Sequence, residues 1–310
     1  MESVELIPIE TLEDKAARCA SLSYAPQTAI AYSKILEHFN TWCESHGLSS
    51  LPADPQTIAK YLADHSDHWS VATLALHLAA ISKSHQWLGF DNPASMSNSC
   101  VSLVWKGIKN KNGIAPKHVM QPLFTDQIRA MVKSCVGPTG RRDAALLLLG
   151  FAGAFRRSEI VGLNVGDIQF HELGMTVFLA RSKTDQVGKG RKVGIPWGNA
   201  TTCPVTQMRA YLEDHQDPEK PLFPSGRSGA GRLTPQTVRL IVRRACRAAG
   251  IPEEYSAHSL RAGFVTQSIR GGASDHAIMD QTGHRDSAMV RRYRREAELF
   301  RDNAAGRLGL

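Results

Sequence analysis

The chain has 310 residues, of which 42% are hydrophobic and 21% charged, a balance typical of water-soluble globular domains. This length predicts about two domains, each large enough to bury a core of its own. The longest apolar run, residues 144–155, is too short to cross a bilayer, and the acidic N-terminus lacks the layout of a signal peptide. Six cysteines stand singly in the sequence, which indicates reduced thiols in a cytoplasmic protein without a membrane partner.

Charge is distributed unevenly along the chain, whose formal net charge is +8. Residues 1–115 carry 8 Lys and Arg against 11 Asp and Glu, whereas residues 116–310 carry 29 against 18. A strongly basic C-terminal portion with clustered arginines favours a polyanionic partner, most commonly nucleic acid. A soluble protein that is merely basic is the alternative that composition leaves open.

Residues 1–115 predict a bundle of four or five helices. Apolar residues predict helices over 28–44 and 70–87, a cap at Asp54 with Pro55 predicts one over 55–63, and a fourth follows Pro93 to about 109. No alternating strand pattern appears. A cluster of lysines near the end of this domain predicts contact with a DNA backbone, although a solvated face gives the same pattern. These lysines are Lys106, Lys109, Lys111 and Lys117.

A polar stretch rich in Gly and Pro over 110–124 is typical of a linker, so we place the domain boundary at 115/116. Residues 116–310 predict an α+β domain, because short β-rich runs joined by a glycine-containing loop indicate a small antiparallel sheet. The predicted strands cover 167–170, 175–180 and 192–197, and the predicted helices cover 126–134, 141–155, 204–214 and 234–249.

The helix predicted over 234–249 carries an arginine at every fourth residue, which forms one basic stripe. Arginines in such a stripe suit a DNA major groove, where they contact guanine and phosphates. Surface solubility is the alternative. The predicted DNA contacts are Arg239, Arg243 and Arg247, with Arg232 nearby.

Two pairs of polar residues, each three positions apart, predict a phosphate site. Arg156 with Glu159 follows the most apolar helix, and His258 with Arg261 falls on another predicted helix. Side chains three apart share a helix face, and a guanidinium offers two parallel N–H groups to phosphate oxygens. Two such groups from separate helices would neutralise the charge that builds on a pentacoordinate phosphorus.

Cleavage at a phosphate also requires a nucleophile, a base and an acid. Tyr293 lies among four arginines in RRYRR, and nearby positive charges favour a phenolate over the usual pKa near 10. His258 is the candidate base, Lys183 in the hairpin loop is the candidate acid, and His284 is a candidate hydrogen-bond donor to phosphate. We expect neither a metal ion nor another cofactor. A single loop lysine or histidine is usually structural, so the prediction rests on the whole set.

At these residues the sequence resembles the tyrosine recombinases, also called phage-type integrases. RRSEI at 156–160 is similar to the family's R-x-S-E-L element, and RSKT at 181–184 is similar to its β-hairpin lysine element. HSLR at 258–261 matches the H-x-L-R box, GH at 283–284 matches the next box, and a tyrosine follows nine residues later. The resemblance covers nearly the whole chain. It implies a catalytic set of Arg156, Lys183, His258, Arg261 and His284, with Glu159 in support and Tyr293 as nucleophile.

Two departures accompany the resemblance. AGAF at 152–155 replaces the usual T-G-L lead-in, so the choice of Arg156 over the adjacent Arg157 depends on register. QTG at 281–283 replaces the commoner x-L-G before His284, a change that we expect to be harmless.

The resemblance implies a mostly α protein in which a SAM-like core-binding domain and an α+β catalytic domain form a C-shaped clamp. It implies recombination of double-stranded DNA sites through a 3′-phosphotyrosyl intermediate and a Holliday junction, by a tetramer at the nucleoid, with accessory directionality proteins as possible partners. The apolar Leu299, Phe300 and Leu308 are similar to a segment that docks on a neighbouring protomer, and packing in cis is the alternative. A type IB topoisomerase, a telomere resolvase and an inactive DNA-binding relative stay open as other interpretations.

Overall fold

The computed structural model describes residues 25–115, 120–180, 188–198, 202–226, 231–252 and 254–300, together with Ala305 and Leu308. The chain divides into two compact units, Met1–Lys117 and His118–Leu310, which we call the N-terminal unit and the C-terminal unit. Within the described residues, no helix is both long and apolar enough to span a membrane.

Four described helices make up the N-terminal unit, as the apolar spacing predicts. Ser70 caps the third of them by accepting the backbone N–H of Thr73 at 3.1 Å, a bond that satisfies one free donor of the first turn. The fourth starts later than predicted, because the Asn92 side chain accepts the N–H of Ala94 at 3.0 Å and closes a turn there. The helices are α1 (Pro26–Ser45), α2 (Pro55–His65), α3 (Val71–Trp87) and α4 (Ser99–Asn112).

The core of the N-terminal unit contains a polar cluster among its apolar side chains. Phe39, Ile58 and Leu62 are at most 1% exposed, and burial of each contributes roughly 1.5–3 kcal/mol relative to exposure. Between them the Tyr61 hydroxyl lies 2.8 Å from His77 Nδ1. The N-terminal unit therefore buries hydrogen-bonded polar groups inside an apolar core.

The C-terminal unit combines eight described α-helices and one short 3-10 helix (Val165–Asp167) with two small antiparallel sheets. The three-stranded sheet has the order β1-β2-β3, and Val177 of its central strand pairs with Ile168 on one side and Val193 on the other. Alternate residues of these strands face the core, as a strand period of two requires. The strands are β1 (Ile168–His171), β2 (Gly174–Leu179), β3 (Arg191–Pro196), β4 (Pro224–Ser225) and β5 (Gly231–Arg232). The helices are α5 (Thr125–Lys133), α6 (Gly140–Ala152), α7 (Arg157–Gly162), α8 (Pro204–Leu212), α9 (Pro235–Ala248), α10 (Ala257–Arg270), α11 (Asp275–Thr282) and α12 (Ser287–Ala297).

The apolar helix α6 ends three residues before the predicted end at Phe155, so that boundary is wrong. The chain turns at Gly153 and at Ala154, whose φ of +52° is the left-handed conformation. A Cβ at Gly153 would lie 2.2 Å from the Phe155 ring, so glycine lets that ring fold back onto the helix end. The turn delivers Arg156 to the start of α7 at a fixed position.

Helix α10 lies at the centre of the C-terminal unit and packs against α6, α9, α11 and α12. A Cβ at Gly263 would lie 1.8 Å from the Leu123 carbonyl oxygen, and the Leu123 N–H donates to the Ser259 carbonyl at 3.1 Å. Only glycine permits this approach of two backbones. On another side, a small satellite core holds α11 and α12 against α10. Its members are Val265, Ile269, Ile278 and Val290.

Candidate active site

Arg156 stands at the N-cap position directly before α7. Glu159, which is 3% exposed, accepts both the Arg156 backbone N–H at 2.8 Å and the Arg156 Nη1 at 2.6 Å. A carboxylate that bonds to two donors of one residue fixes the guanidinium geometrically. Because the side chain of Arg157 is exposed, Arg156 is the anchored arginine of the adjacent pair.

Arg261 on α10 is 4% exposed, which is rare for a charged side chain. Its Nη1 donates to the Ala154 carbonyl at 2.6 Å, and its Nη2 donates to His284 Nε2 at 2.7 Å. Burial, followed by the positive charge of Arg156, lowers the pKa of Arg261 to about 10, so Arg261 stays a cation at neutral pH. Among the described residues, no carboxylate bonds to this guanidinium.

His284 follows Gly283, which ends α11 in the left-handed conformation that glycine adopts without strain. Its Nδ1 lies 3.0 Å from the Thr282 hydroxyl oxygen. Burial, followed by the charge of Arg261, lowers the pKa of His284 to about 4, so the imidazole is neutral at neutral pH. In this structure His284 holds Arg261, and the phosphate contact predicted for it stays a prediction.

His258 lines an open cleft of about 670 Å³ together with Arg156, Arg261 and Arg239. The cleft therefore brings Arg156, which Glu159 holds, together with both members of the second pair, His258 and Arg261. Although the imidazole is exposed to the cleft, partial desolvation, followed by the charges of Arg261 and Arg156, lowers the pKa of His258. A neutral imidazole is the form that accepts a proton.

Tyr293 on α12 is half-buried and packs against the satellite core. Burial raises its pKa, and the charges of Arg261 and Arg292 offset only part of this effect. The arginines thus favour the phenolate, as expected, but they do not lower the pKa of Tyr293 below its usual value in the free protein. Desolvation outweighs the cations, and Arg294 is already paired with Asp275 at 2.6 Å. Tyr293 is therefore a neutral phenol in the free protein at neutral pH.

Sequence reasoning missed one cation of this region, Arg191 at the start of β3. Its Nη1 donates to the carbonyls of Asp280 at 3.3 Å and Gln281 at 3.0 Å. Its Nε and Nη2 are buried and hydrogen-bond to no described residue. Its charge contributes to the lowered pKa values of both Arg261 and His284. The local sequence carries no signal for this placement, because the partners lie 89 and 90 positions away.

The basic stripe lies on α9, where Arg239 and Arg247 are exposed and Arg243 is half-buried. Arg239 reaches the wall of the cleft. Arg232 is engaged within the protein, since its guanidinium donates to the carbonyls of Val161 and Leu163 at 2.8 Å each and to Asn164 Oδ1 at 2.7 Å. The DNA contact predicted for Arg232 would have to coexist with these bonds.

Three of the lysines predicted to contact DNA lie in the second half of α4. Lys106 is exposed, Lys109 lies 5.9 Å from the centroid of the Trp105 ring, and Lys111 pairs with Asp67 at 2.5 Å. Lys117 and the candidate acid Lys183 lie outside the described residues. The DNA contacts predicted for Lys106, Lys109, Lys111 and Lys117 stay predictions, and so does the acid role of Lys183.

No group of three or more His, Cys, Asp or Glu side chains in the described part of the chain could hold a metal ion. The five cysteines that the structure describes form no disulfide bonds with one another: Cys43, Cys100, Cys135, Cys203 and Cys246.

Comparison with known proteins gives matches to integrases and recombinases. Residues 121–299 match the Phage integrase family, and residues 20–89 match the Phage integrase, N-terminal SAM-like domain. An integrase/recombinase XerD homologue from Selenomonas ruminantium is 34% identical over 310 residues, which cover 96% of this chain and 90% of the relative.

Two solved structures share the fold at low sequence identity. The XerH site-specific recombinase bound to palindromic difH substrate, a post-cleavage complex, matches with a TM-score of 0.61 at 18% identity over 82% of this chain and 72% of that chain. The lambda integrase tetramer bound to a Holliday junction matches with a TM-score of 0.60 at 16% identity over 92% and 76%.

The fold and these matches place the protein among the tyrosine-dependent enzymes that transfer DNA strands. More narrowly, the chain belongs to the phage integrase family, whose members are site-specific tyrosine recombinases. The fold predicted from the resemblance, a helical bundle followed by an α+β domain with a small antiparallel sheet, is confirmed.

Proposed function

We propose that Tyr293 is the nucleophile with which this recombinase cuts DNA, forming a 3′-phosphotyrosyl bond and releasing a 5′-hydroxyl. A 5′-hydroxyl from a partner duplex reverses the step, so the energy of the phosphodiester bond is conserved. The observation that carries the proposal is the charge around the cleft. The guanidiniums of Arg156, Arg261 and Arg191 interact electrostatically with one another. Glu159 is the one carboxylate among the interactions that shift the pKa values of Arg191 and Arg261.

In this proposal Arg156 and Arg261 bind the non-bridging oxygens of the scissile phosphate. Glu159 holds one guanidinium, and the Ala154 carbonyl holds the other. Donors that are held before the reaction need no reorganisation when charge builds on the phosphorus, and each is worth about 2.7–4 kcal/mol of barrier reduction. The arginines thus supply the electrostatic stabilisation that metal ions supply in many nucleases.

Proton transfer accompanies the attack at both ends. The Tyr293 phenol has a raised pKa and gives its proton to His258, whose lowered pKa keeps it neutral and able to accept. The phenolate oxygen then bonds to phosphorus as the P–O5′ bond breaks. Lys183 donates a proton to the departing 5′-oxygen. His284 supports the phosphate through Arg261, and the direct phosphate contact predicted for it would require its ring to give up that bond.

We propose further that residues 1–115 form a core-binding domain and residues 116–310 the catalytic domain, which grip duplex DNA from two sides. Lys106, Lys109, Lys111 and Lys117 would contact backbone phosphates, and the arginines of α9 would enter the major groove. A tetramer on two sites at the nucleoid, with a Holliday junction as intermediate, is the proposed assembly, and accessory proteins would set direction. Leu299, Phe300 and Leu308 are 61%, 89% and 67% exposed, which supports docking on a neighbouring protomer.

A nicked suicide substrate tests the nucleophile, because the short 5′-product diffuses away and leaves the enzyme on the DNA. With excess chelator present we expect a covalent adduct that maps to Tyr293 and is absent in Tyr293→Phe. Tyr255→Phe is the matched control and should form the adduct normally. No adduct, or an adduct on another residue, would overturn the assignment.

A sulfur-substituted substrate tests the acid. Lys183→Ala should cleave ordinary DNA slowly and recover when the 5′-oxygen is replaced by sulfur, which leaves without a proton. Lys189→Ala, in the same hairpin, should behave like the wild type on both substrates. If sulfur gives Lys183→Ala no recovery, Lys183 is not the acid.

Salt dependence tests the basic stripe. Each phosphate contact steepens the fall of log affinity with log salt by about 0.9, so replacing Arg239, Arg243 and Arg247 with Gln should flatten the slope by up to about 3. A slope equal to that of the wild type would show that the stripe faces solvent.

A further inference from the structure

The residue before Gly283 differs from the commoner pattern of the family that the sequence resembles, which has leucine where this chain has Thr282. Thr282 is the last residue of α11 and is completely buried. Its hydroxyl oxygen lies 2.7 Å from the Ile278 carbonyl oxygen and 3.0 Å from His284 Nδ1. A hydroxyl therefore replaces an apolar side chain beside a candidate catalytic histidine.

The hydrogen bonds around Thr282 can run in one direction only. The guanidinium of Arg261 has no acceptor atom, so at 2.7 Å it must donate to His284 Nε2. A neutral imidazole that accepts at Nε2 carries its proton on Nδ1. Thr282 has one hydroxyl proton, which the Ile278 carbonyl takes, so its oxygen accepts the Nδ1–H of His284.

We propose that Thr282 is a positioning residue, which fixes His284 in the Nδ1–H tautomer and thereby fixes Arg261 for the scissile phosphate. The proposal rests on the phosphate-binding role given to Arg261 above. A leucine at this position would leave the Nδ1–H without its acceptor inside the protein. The imidazole would then be free to carry its proton on Nε2, where a proton would repel the N–H of Arg261.

The bond chain also explains how Arg261 is held without a carboxylate. The Ala154 carbonyl accepts one Nη, and the His284–Thr282–Ile278 chain accepts the other. Both acceptors are neutral, so the positive charge of Arg261 is oriented but not cancelled. Thr282 in QTG, a replacement that the sequence suggested to be harmless, therefore helps to orient Arg261 through His284.

The matched variants Thr282→Val and Thr282→Ser separate the hydroxyl from the volume of the side chain. Nitrogen-15 NMR of histidine-labelled full-length protein reports the tautomer of His284, whose signals are assigned by their loss in His284→Gln. We expect an Nδ1–H imidazole in the wild type and in Thr282→Ser, and an Nε2–H fraction in Thr282→Val. An Nε2–H imidazole in the wild type, or a wild-type spectrum in Thr282→Val, would overturn the proposal.

Single-turnover cleavage of the suicide substrate gives the second readout. Loss of one buried hydrogen-bond acceptor should slow Thr282→Val about 10-fold at neutral pH with unchanged DNA affinity, while Thr282→Ser keeps the wild-type rate. Equal rates in Thr282→Val and the wild type, or an equal loss in Thr282→Ser, would contradict it. Failure of the proposed function would be seen separately, as a missing adduct at Tyr293 with the tautomer unchanged.

Discussion

The two units of this protein bury polar clusters that differ in charge: one is neutral and the other is positive. In the N-terminal unit the Tyr61 hydroxyl bonds to both His38 at 3.0 Å and His77 at 2.8 Å, and burial, then the charge of His38, lowers the pKa of His77 to about 4. In the C-terminal unit His284 reaches the same pKa, but its partner is the cation Arg261. The N-terminal cluster consists of neutral groups that hydrogen-bond to one another, whereas the C-terminal cluster carries positive charge.

The difference shows what each cluster contributes. Neutral partners that satisfy each other inside a core support stability, because no buried donor or acceptor is left alone. Buried cations that repel one another cost stability, and a fold keeps such an arrangement where an anion is bound. The N-terminal cluster should therefore affect folding, and the C-terminal cluster should affect catalysis.

The largest expected effect comes from the anchored arginine. Arg156→Ala should lower the single-turnover cleavage rate by about 100- to 1,000-fold, because it removes a donor that is fixed before reaction. Arg157→Ala is the matched control next to it, and loss of an exposed charge should cost less than about 10-fold. Equal losses in the two variants would mean that Glu159 does not select the catalytic arginine.

The next effect concerns the neutral cluster. Tyr61→Phe removes the hydroxyl shared by His38 and His77 and should lower the free energy of unfolding by about 2 kcal/mol. Denaturant unfolding followed by tryptophan fluorescence measures this change, since Trp42, Trp69, Trp87 and Trp105 lie in the N-terminal unit. The cleavage rate of the folded, DNA-saturated variant should not change. If Tyr61→Phe slowed cleavage but left the free energy of unfolding unchanged, the N-terminal cluster would serve catalysis and not stability.

The pH dependence of stability should follow from the same cluster. Above the usual histidine pKa of 6.5, His77 is neutral in both the folded and unfolded chains and contributes no pH dependence. Between pH 6.5 and about 4 the unfolded chain binds a proton that folded His77 does not. The free energy of unfolding therefore decreases as the pH is lowered through this range, by on the order of 2 kcal/mol. His77→Gln should flatten this profile when tryptophan fluorescence is the probe. Stability that rises on acidification would exclude a neutral buried His77.

The smallest effect is expected at the turn before Arg156. Ala154 has φ +52°, which costs a non-glycine residue about 1–2 kcal/mol. In Ala154→Gly this relief is offset by roughly 0.5–1 kcal/mol of backbone entropy, so the free energy of unfolding should change by less than about 1 kcal/mol. Ala154→Val, with a branched side chain at the same φ, should destabilise clearly more. If the two variants are equally stable, the left-handed turn is not present.

The catalytic motifs were readable from the sequence because their chemistry depends on short spacings. Arg156 with Glu159, and His258 with Arg261, are each three positions apart, and the structure brings Arg156, His258 and Arg261 to one cleft. The β-rich runs at 175–180 and 192–197 likewise predicted two strands, which pair with each other in the sheet.

Other features of the site depend on distant contacts that short patterns do not record. Arg191 is placed by carbonyls about 90 residues away, and the pKa of Tyr293 rises because the satellite core desolvates it. The local RRYRR pattern by itself suggests a lowered pKa for Tyr293. Thr282 also looks like a neutral replacement until its bond to His284 is seen.

The charge on the scissile phosphate provides the most direct test of the C-terminal cluster. Arg261→Ala and the wild type should be compared on matched suicide substrates whose scissile phosphate is either normal or a neutral methylphosphonate. If Arg261 serves to neutralise phosphate charge, the rate deficit of Arg261→Ala will be large on phosphate and much smaller on methylphosphonate. An equal deficit on both substrates would contradict that role and show that Arg261 acts only within the protein.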